Sequence, residues 1–241
     1  MKKYRVIIII TTLILLCGCK KDNSKLVLVT EASFAPYEYY SDGEVVGVDI
    51  AIGREIANYL GKDLKVKDVS FDSIISEVKS GKSDIGAAGI SYTEERAKQV
   101  DFTISYAESK QVVIVKSNSI ITKPSDLKNI KVAVQLGSVA DGYLEENYKS
   151  VTLVREKKFL AAIQDLKDNK VSAVVMDELP AKKYLTNDLK ILDEEVTTDS
   201  YGMVVDKGNI ELLNAANTVI KKLKDEGKIN EYLLEYMERS Q

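Results

Sequence analysis

Two stretches of this chain share one plan: an amphipathic helix, a polar turn, a buried strand and a loop of polar residues. In the first, Lys79-Ser80-Gly81-Lys82-Ser83-Asp84 leads into an apolar run ending at Ala88, and Gly89-Ile90-Ser91 follows. In the second, Asp168-Asn169-Lys170 leads into Ala173 to Met176, and Asp177-Glu178 follows. Strands that alternate with helices in this way must be buried between them, which implies an α/β architecture and excludes a helical bundle or a sandwich. Each helix then acts as a crossover between parallel strands. Ligands of such sheets bind beyond the carboxyl ends of the strands, so two units of this kind can face their loops across a common cleft. One ordinary α/β domain holding two unrelated units is the alternative.

The remaining elements fit that plan. Leu26 to Thr30 reads as a buried strand and Glu31 to Tyr40 as an aromatic loop punctuated by Pro36. After the Asp42-Gly43 turn and Glu44 to Val48, Asp49 is placed to cap a helix. Its Ile52, Ile56, Tyr59 and Leu60 share one face, and it stops at Gly61. Leu64 to Val69 is a strand, and Phe71, Ile74, Ile75 and Val78 mark a second helix ended by Gly81. In the second half come a strand at Lys131 to Gln135, a Gly137-Ser138 turn and a helix near Ala140 to Tyr148. A strand at Val151 to Arg155 and a helix through Leu160, Ile163 and Leu166 complete it.

Composition removes whole classes of chemistry. The chain has no histidine, so a Ser-His-Asp triad, a His-bearing zinc site and a His general base are excluded. Both cysteines, Cys17 and Cys19, lie near the start, leaving no disulfide or thiolate chemistry in the body of the protein. No phosphate loop and no Gly-x-Gly-x-x-Gly occurs, and the acidic residues show no metal-loop spacing, so no cofactor or metal is expected. The basic residues are interspersed among the acidic ones with no basic block after Lys21, which argues against nucleic acid as a partner.

The first residues read as an export segment: Lys2, Lys3 and Arg5 precede the uncharged stretch Val6 to Leu16. At roughly eleven residues that stretch is too short to span a bilayer comfortably, so residues 1–18 are expected to be a cleaved signal peptide. Leu16-Cys17-Gly18-Cys19 resembles a bacterial lipoprotein processing site, in which Cys19 becomes the lipidated first residue. Cys17 is a less usual choice than Ala or Ser there, and an ordinary secreted protein is the alternative. Residues 19–25 form a polar tether. The net charge of −3 becomes −6 once Lys2, Lys3 and Arg5 leave with the leader.

Chemically, the richest stretch is Gly89-Ile90-Ser91-Tyr92-Thr93-Glu94-Glu95-Arg96. A Gly-x-Ser-x-Thr turn after a strand offers backbone amides and two hydroxyls, and Arg96 can aim its planar fork at the same spot, which makes an anion site suited to a carboxylate. Equally, Thr93 can cap a helix whose first turn favours Glu94 and Glu95, with Arg96 on a solvated face.

Several segments together resemble the polar amino-acid-binding proteins of ABC importers, the family 3 solute-binding proteins. They are Val29 to Tyr39, Gly47-Val48-Asp49, Asp84-Ile85, Gly89 to Arg96, Val100-Asp101-Phe102, Asp126-Leu127-Lys128, Tyr201-Gly202 and Lys222 to Gly227. The resemblance covers Lys25 to Glu238. It implies a two-lobed, type II periplasmic-binding-protein-like α/β fold, with a mixed, mainly parallel sheet in each lobe and two crossing hinge strands. Lobe 1 is expected at 26–108 plus 201–241 and lobe 2 at 109–200, with crossings near Tyr106 to Lys110 and Thr198 to Gly202.

The same resemblance implies roles for individual residues. Arg96 takes the α-carboxylate of the ligand, helped by the backbone amides of Ser91 and of Val139 after Gly137-Ser138. Asp177 pairs with the α-ammonium, assisted by the Gly89 carbonyl and the Ser91 hydroxyl; its alternative role is to cap the helix beginning at Glu178. Phe34 and Phe71 sandwich the ligand side chain, or else pack in the core. Glu31 faces the far end of the pocket and favours a basic or amide-bearing amino acid such as arginine or glutamine, or else forms a salt bridge at the rim. Where members more often have Met, an aliphatic residue and a hydroxyl, this chain has Ile90, Tyr92 and Val139, which leaves the choice among polar amino acids open. The implied partners are a polar amino acid, an ABC permease with its ATPase, and the membrane through the lipid anchor, for a monomer with no cofactor. Two other readings use the same fold. One is a dehydratase acting on a cyclic carboxylic acid, with Glu31 as general acid; the other is a sensory binding protein working with a separate partner.

Overall fold

The computed structural model describes residues 22–240; the leader, Cys19 and the start of the tether lie outside them. Two lobes are built on two separate sheets. In the first, the strands Asp63–Asp68, Lys25–Thr30 and Ile85–Gly86 run parallel in that spatial order. Val204–Asp206 and Val100–Phe102 extend the sheet antiparallel. In the second, Thr152–Glu156, Lys131–Gln135 and Ala173–Asp177 are parallel, and Ala107–Lys116 lies antiparallel beside them. The apolar residues of the central strands are almost fully buried, as expected for sheets covered by helices on their faces, and those of the edge strands Asp63–Asp68 and Thr152–Glu156 are half-buried.

The long strand Ala107–Lys116 and the strand Thr197–Tyr201 pair antiparallel, Ala107 opposite Tyr201 and Lys110 opposite Thr198. These are the two crossing strands. The chain then re-enters the first sheet at Val204–Asp206 and ends in the helices Ile210–Asp225 and Lys228–Arg239, which pack on the helix Val48–Tyr59.

Four local expectations need correction. The aromatic segment around Pro36 is a small antiparallel sheet of Ser33–Phe34, Glu38–Ser41 and Glu44–Val46. Asp42 and Gly43 both have positive φ, 52° and 83°, the tight-turn chemistry that closes a two-residue hairpin. Asp49 does not cap its helix: Gly47 occupies the cap position, and Asp49 sits in the first turn with its carboxylate turned to the Gly89 N–H at 3.0 Å. The buried stripe of that helix runs through Ile52, Gly53, Ile56 and Ala57, which leaves Tyr59 to one side and exposed. In the helix Phe159–Lys167 the stripe is Phe159, Ala162, Ile163 and Leu166, and Leu160 faces solvent. The shift by one residue brings an aromatic ring to the cleft.

Candidate ligand-binding site

The polar loops that follow the strands Ile85–Gly86 and Ala173–Asp177 meet between the lobes, as the repeated plan required. Thr93 caps the short helix Glu94–Ala97, its hydroxyl accepting from Arg96 N at 3.1 Å. The cap sends the Arg96 side chain inward rather than onto a solvated face: it is buried, donating to the Ser91 carbonyl at 2.7 Å and, across the cleft, to the Gly137 carbonyl at 2.8 Å. Its guanidinium lies over the Phe71 ring at 5.5 Å, a cation–π contact. Burial pulls the Arg96 pKa below its ordinary value, and the charges of Asp199 and Asp177 pull it back.

Opposite Arg96, Ser138 caps the helix Val139–Asn147 by accepting from Asp141 N, so Val139 begins the helix. Its amide is one of the first-turn donors that no carbonyl within the helix can satisfy. Gly137, with φ 76°, makes the turn that presents its carbonyl to Arg96.

Asp177 stands at the head of the helix Glu178–Lys183 but makes no side-chain cap bond. One oxygen instead accepts from Ser109 Oγ at 2.9 Å, Gln111 Nε2 at 2.7 Å and the Tyr201 hydroxyl. Gln111 also donates to Asp199 at 3.0 Å, and Ser91 Oγ donates to the same Asp199 oxygen at 2.8 Å. The Ser91 hydroxyl is therefore engaged with Asp199 rather than with Asp177. Two carboxyl groups thus share one amide donor where the crossing strands meet. Burial, then the charge of Asp199, push the Asp177 carboxyl up to about 7, against the lowering effect of its three donors. Asp199 is raised as well, burial first, with Ser91, Gln111 and Arg96 opposing.

Gly89 takes φ 52°, and a Cβ there would come within 2.7 Å of the Phe34 ring and 3.4 Å of Tyr201. Only glycine fits both the backbone and the space. Phe34 is buried and stacks on Phe159 from the other lobe at 5.7 Å and on Tyr37 at 5.9 Å. Glu31, 1% exposed, takes Ser33 Oγ on both oxygens, at 2.8 and 2.7 Å. Gln135 Nε2 lies 3.4 Å away and the Lys158 ammonium 3.3 Å away, both from the second lobe. Glu31 therefore both lines the cleft and forms an ion pair, although it is far too deep to be a rim residue.

These groups enclose a small cavity between the lobes, about 10 Å³, lined by Glu31, Phe34, Phe71, Gly89, Ser91, Gln135, Ser138, Val139, Phe159 and Asp177 among others. Every cleft residue expected from the sequence except Arg96 lines it. Arg96 instead lines a neighbouring open pocket of about 950 Å³, which shares Phe71, Ser138 and Val139 with the cavity. The inner cavity is the better candidate site because charged, amide and aromatic groups converge there. Its volume is about that of one water, so an amino acid enters only when the lobes part.

The sequence reading missed Asp199, Gln111, Ser109, Gln135 and Phe159. A glutamine opening the apolar run Gln111 to Val115 was a legible signal, since a polar side chain at the edge of a buried strand needs partners. Among the described residues, no group of three or more His, Cys, Asp or Glu could hold a metal ion.

A family model for bacterial extracellular solute-binding proteins, family 3, matches residues 26–239. The arginine-binding extracellular protein ArtP of Bacillus subtilis is 28% identical over 244 residues, covering 95% of each chain. The amino acid ABC transporter substrate-binding protein AbpA of Streptococcus pneumoniae, solved bound to L-arginine, superposes with a TM-score of 0.86 at 34% identity, over 92% of this chain and 98% of that one. An ancestral arginine-binding protein bound to glutamine superposes with a TM-score of 0.82 at 36% identity, over 88% and 97% of the two chains.

Proposed function

The chain belongs to the bacterial extracellular solute-binding proteins of family 3, and from that premise we propose that it is the receptor of an ABC importer, closing on one polar amino acid and passing it to a membrane permease and its ATPase. The observation that carries this reading is the placement of opposite charges on the two sides of one cleft. Arg96, Ser91 and the Val139 amide suit an α-carboxylate, and Asp177, with Asp199 beside it, suits an α-ammonium. A zwitterion needs both charges met, because a buried charge left without its partner costs about 3–5 kcal/mol. A ligand that touches both lobes binds the closed arrangement more tightly than the open one, which is sufficient to drive closure.

Lobe 1 is assigned to residues 26–108 and 201–241 and lobe 2 to 109–200, with the crossing strands as hinge. Phe34 and Phe71 hold the ligand side chain, and Glu31 meets its far end, which leads to arginine and glutamine as first candidates. The proteins named above that carry these amino acids support that choice. Binding without turnover is the favoured activity: Glu31, the acid that a dehydratase would use, is held by Ser33, Gln135 and Lys158. We assign Cys19 as the palmitoylated anchor to the outer face of the cell membrane, and the chain as a monomer. Labelling by a palmitate analogue that disappears in Cys19→Ala would test the anchor.

The binding reading is tested by thermal unfolding of the leaderless protein against arginine, lysine, histidine and glutamine, repeated with Arg96→Ala. A ligand at a hundred times its dissociation constant stabilises by about 2.7 kcal/mol, at roughly 2–4 °C per kcal/mol for a chain of this size. A selective shift that vanishes in Arg96→Ala is the expected result. No shift with any amino acid overturns the reading.

A further inference from the structure

The far end of the cleft carries its own cation. Glu31 belongs to the first lobe and is almost wholly buried, yet the ammonium of Lys158, on the second lobe, reaches to 3.3 Å from its carboxylate. The Lys158 side chain is about half exposed, at 51%, and makes no cap bond for the helix that begins at Phe159. Phe159 itself is stacked on Phe34, so the helix start is fixed against the cleft while the lysine arm runs along the solvent side to reach Glu31. Gln135 completes the arrangement from the same lobe, donating to Lys157 O at 3.1 Å as well as facing Glu31.

We propose that Lys158 is a specificity-determining residue, an internal counter-ion that closes on Glu31 from the opposite lobe and competes with any cation on the ligand side chain. This rests on the amino-acid-receptor reading and narrows it. With Lys158 in place the end of the pocket is electrically neutral, and a side-chain amide can share the Glu31 and Gln135 hydrogen bonds without displacing any charge. A guanidinium or ammonium must push Lys158 into solvent first, or stand beside it as a like charge. Lys158 therefore biases the pocket toward neutral, amide-bearing side chains and against the cationic ligands that Glu31 alone would favour.

The test is calorimetric titration of glutamine and arginine into the wild-type protein, Lys158→Met, Glu31→Gln and the double variant, at low ionic strength. Lys158→Met keeps the aliphatic stem and should move the affinity ratio toward arginine by about five- to tenfold, the scale of one partly screened ion pair with one buried partner. Glu31→Gln should move the ratio toward glutamine. In the double variant the effect of Lys158→Met should vanish, because Lys158 acts through Glu31. An unchanged ratio in a Lys158→Met protein that binds either amino acid overturns the proposal and leaves the receptor reading standing. Failure of the wild-type protein to bind either one overturns the proposal, and the receptor reading falls with it only when no other amino acid shifts the melting temperature. Melting curves without ligand separate a change of preference from a loss of fold.

Discussion

Two buried carboxyl pairs lie within this molecule, and they are built in opposite ways. Asp177 and Asp199 sit where the lobes meet, surrounded by donors: Ser109, Gln111, Tyr201 and Ser91 all point at them. Glu38 and Asp49 lie inside the first lobe, fully buried, and among the described residues no donor reaches either oxygen of Glu38. Asp49 has the Gly89 N–H on one oxygen, with the Tyr106 hydroxyl and the Glu38 carboxyl as its remaining polar neighbours. Burial, then Asp49, push the Glu38 carboxyl well above its ordinary range, and burial takes Asp49 up to about 6. A pair so poor in donors keeps a proton between its members, because a second bare charge there would go unsolvated. A pair with donors can be ionised when a cation arrives. Asp49, in the donor-poor pair, positions the Gly89 loop; Asp177 and Asp199, in the donor-rich one, are the pair proposed to receive an ammonium group.

The largest effect that separates the pairs should come from Asp177→Asn. Loss of the charge facing the ligand ammonium should weaken amino-acid binding by about 3–5 kcal/mol, a factor of at least a hundred in a calorimetric titration. The same change should leave the unliganded fold at pH 8 as stable as before or more so, because it removes a buried charge. A stable Asp177→Asn protein with unaltered affinity would move the ammonium site elsewhere.

Next in size is the dependence of stability on pH. The carboxyls of Asp49 and Asp177 are raised in the folded protein, to about 6 and about 7. The folded state therefore holds more protons than the unfolded chain between the ordinary aspartate range and neutrality. The stability these groups contribute is fully present below about 4 and is lost as pH rises through 6 to 7. Melting temperature without ligand should fall from pH 5 to pH 8, and Asp177→Asn should flatten the slope. Ligand affinity should run the other way, weakening below neutrality as Asp177 takes up its proton. A melting temperature that climbs over this interval would contradict the assignment.

A smaller loss is expected from Asp49→Ala. It strands the Gly89 amide inside the protein, at about 1–3 kcal/mol of stability read from denaturant midpoints, and it loosens the loop that carries Ser91 and Arg96. Smallest of all should be Glu38→Gln. Its amide can donate to Asp49 as the protonated acid does, so unfolding should change by less than about 1 kcal/mol and affinity hardly at all. A large loss of binding in Glu38→Gln would erase the distinction between the pairs.

Local patterns explain why some of this was legible in the chain itself. The repeated helix, turn and strand before Gly89 and before Asp177 announced two α/β units with facing loops, because burial periodicity and turn chemistry act over a few residues. Arg96 and Ser91 could be singled out because their motif is contiguous, and Asp177 through its position in the family resemblance. The Asp42-Gly43 turn was visible too, but the hairpin around it was not read, since strands of four and three residues carry too little alternation to stand out.

Readable in the chain alone are the fold class, the polar loop of each unit, the lack of histidine and thiol chemistry in the body of the protein, and the charges of the candidate site residues. The joining of Asp199 to Asp177 through Gln111 and the placing of Lys158 on Glu31 came only with the folded arrangement. Each of these pairs residues far apart in the chain, on opposite lobes or on the crossing strands. Contacts of that kind depend on how the lobes close, and no local pattern of residues encodes them.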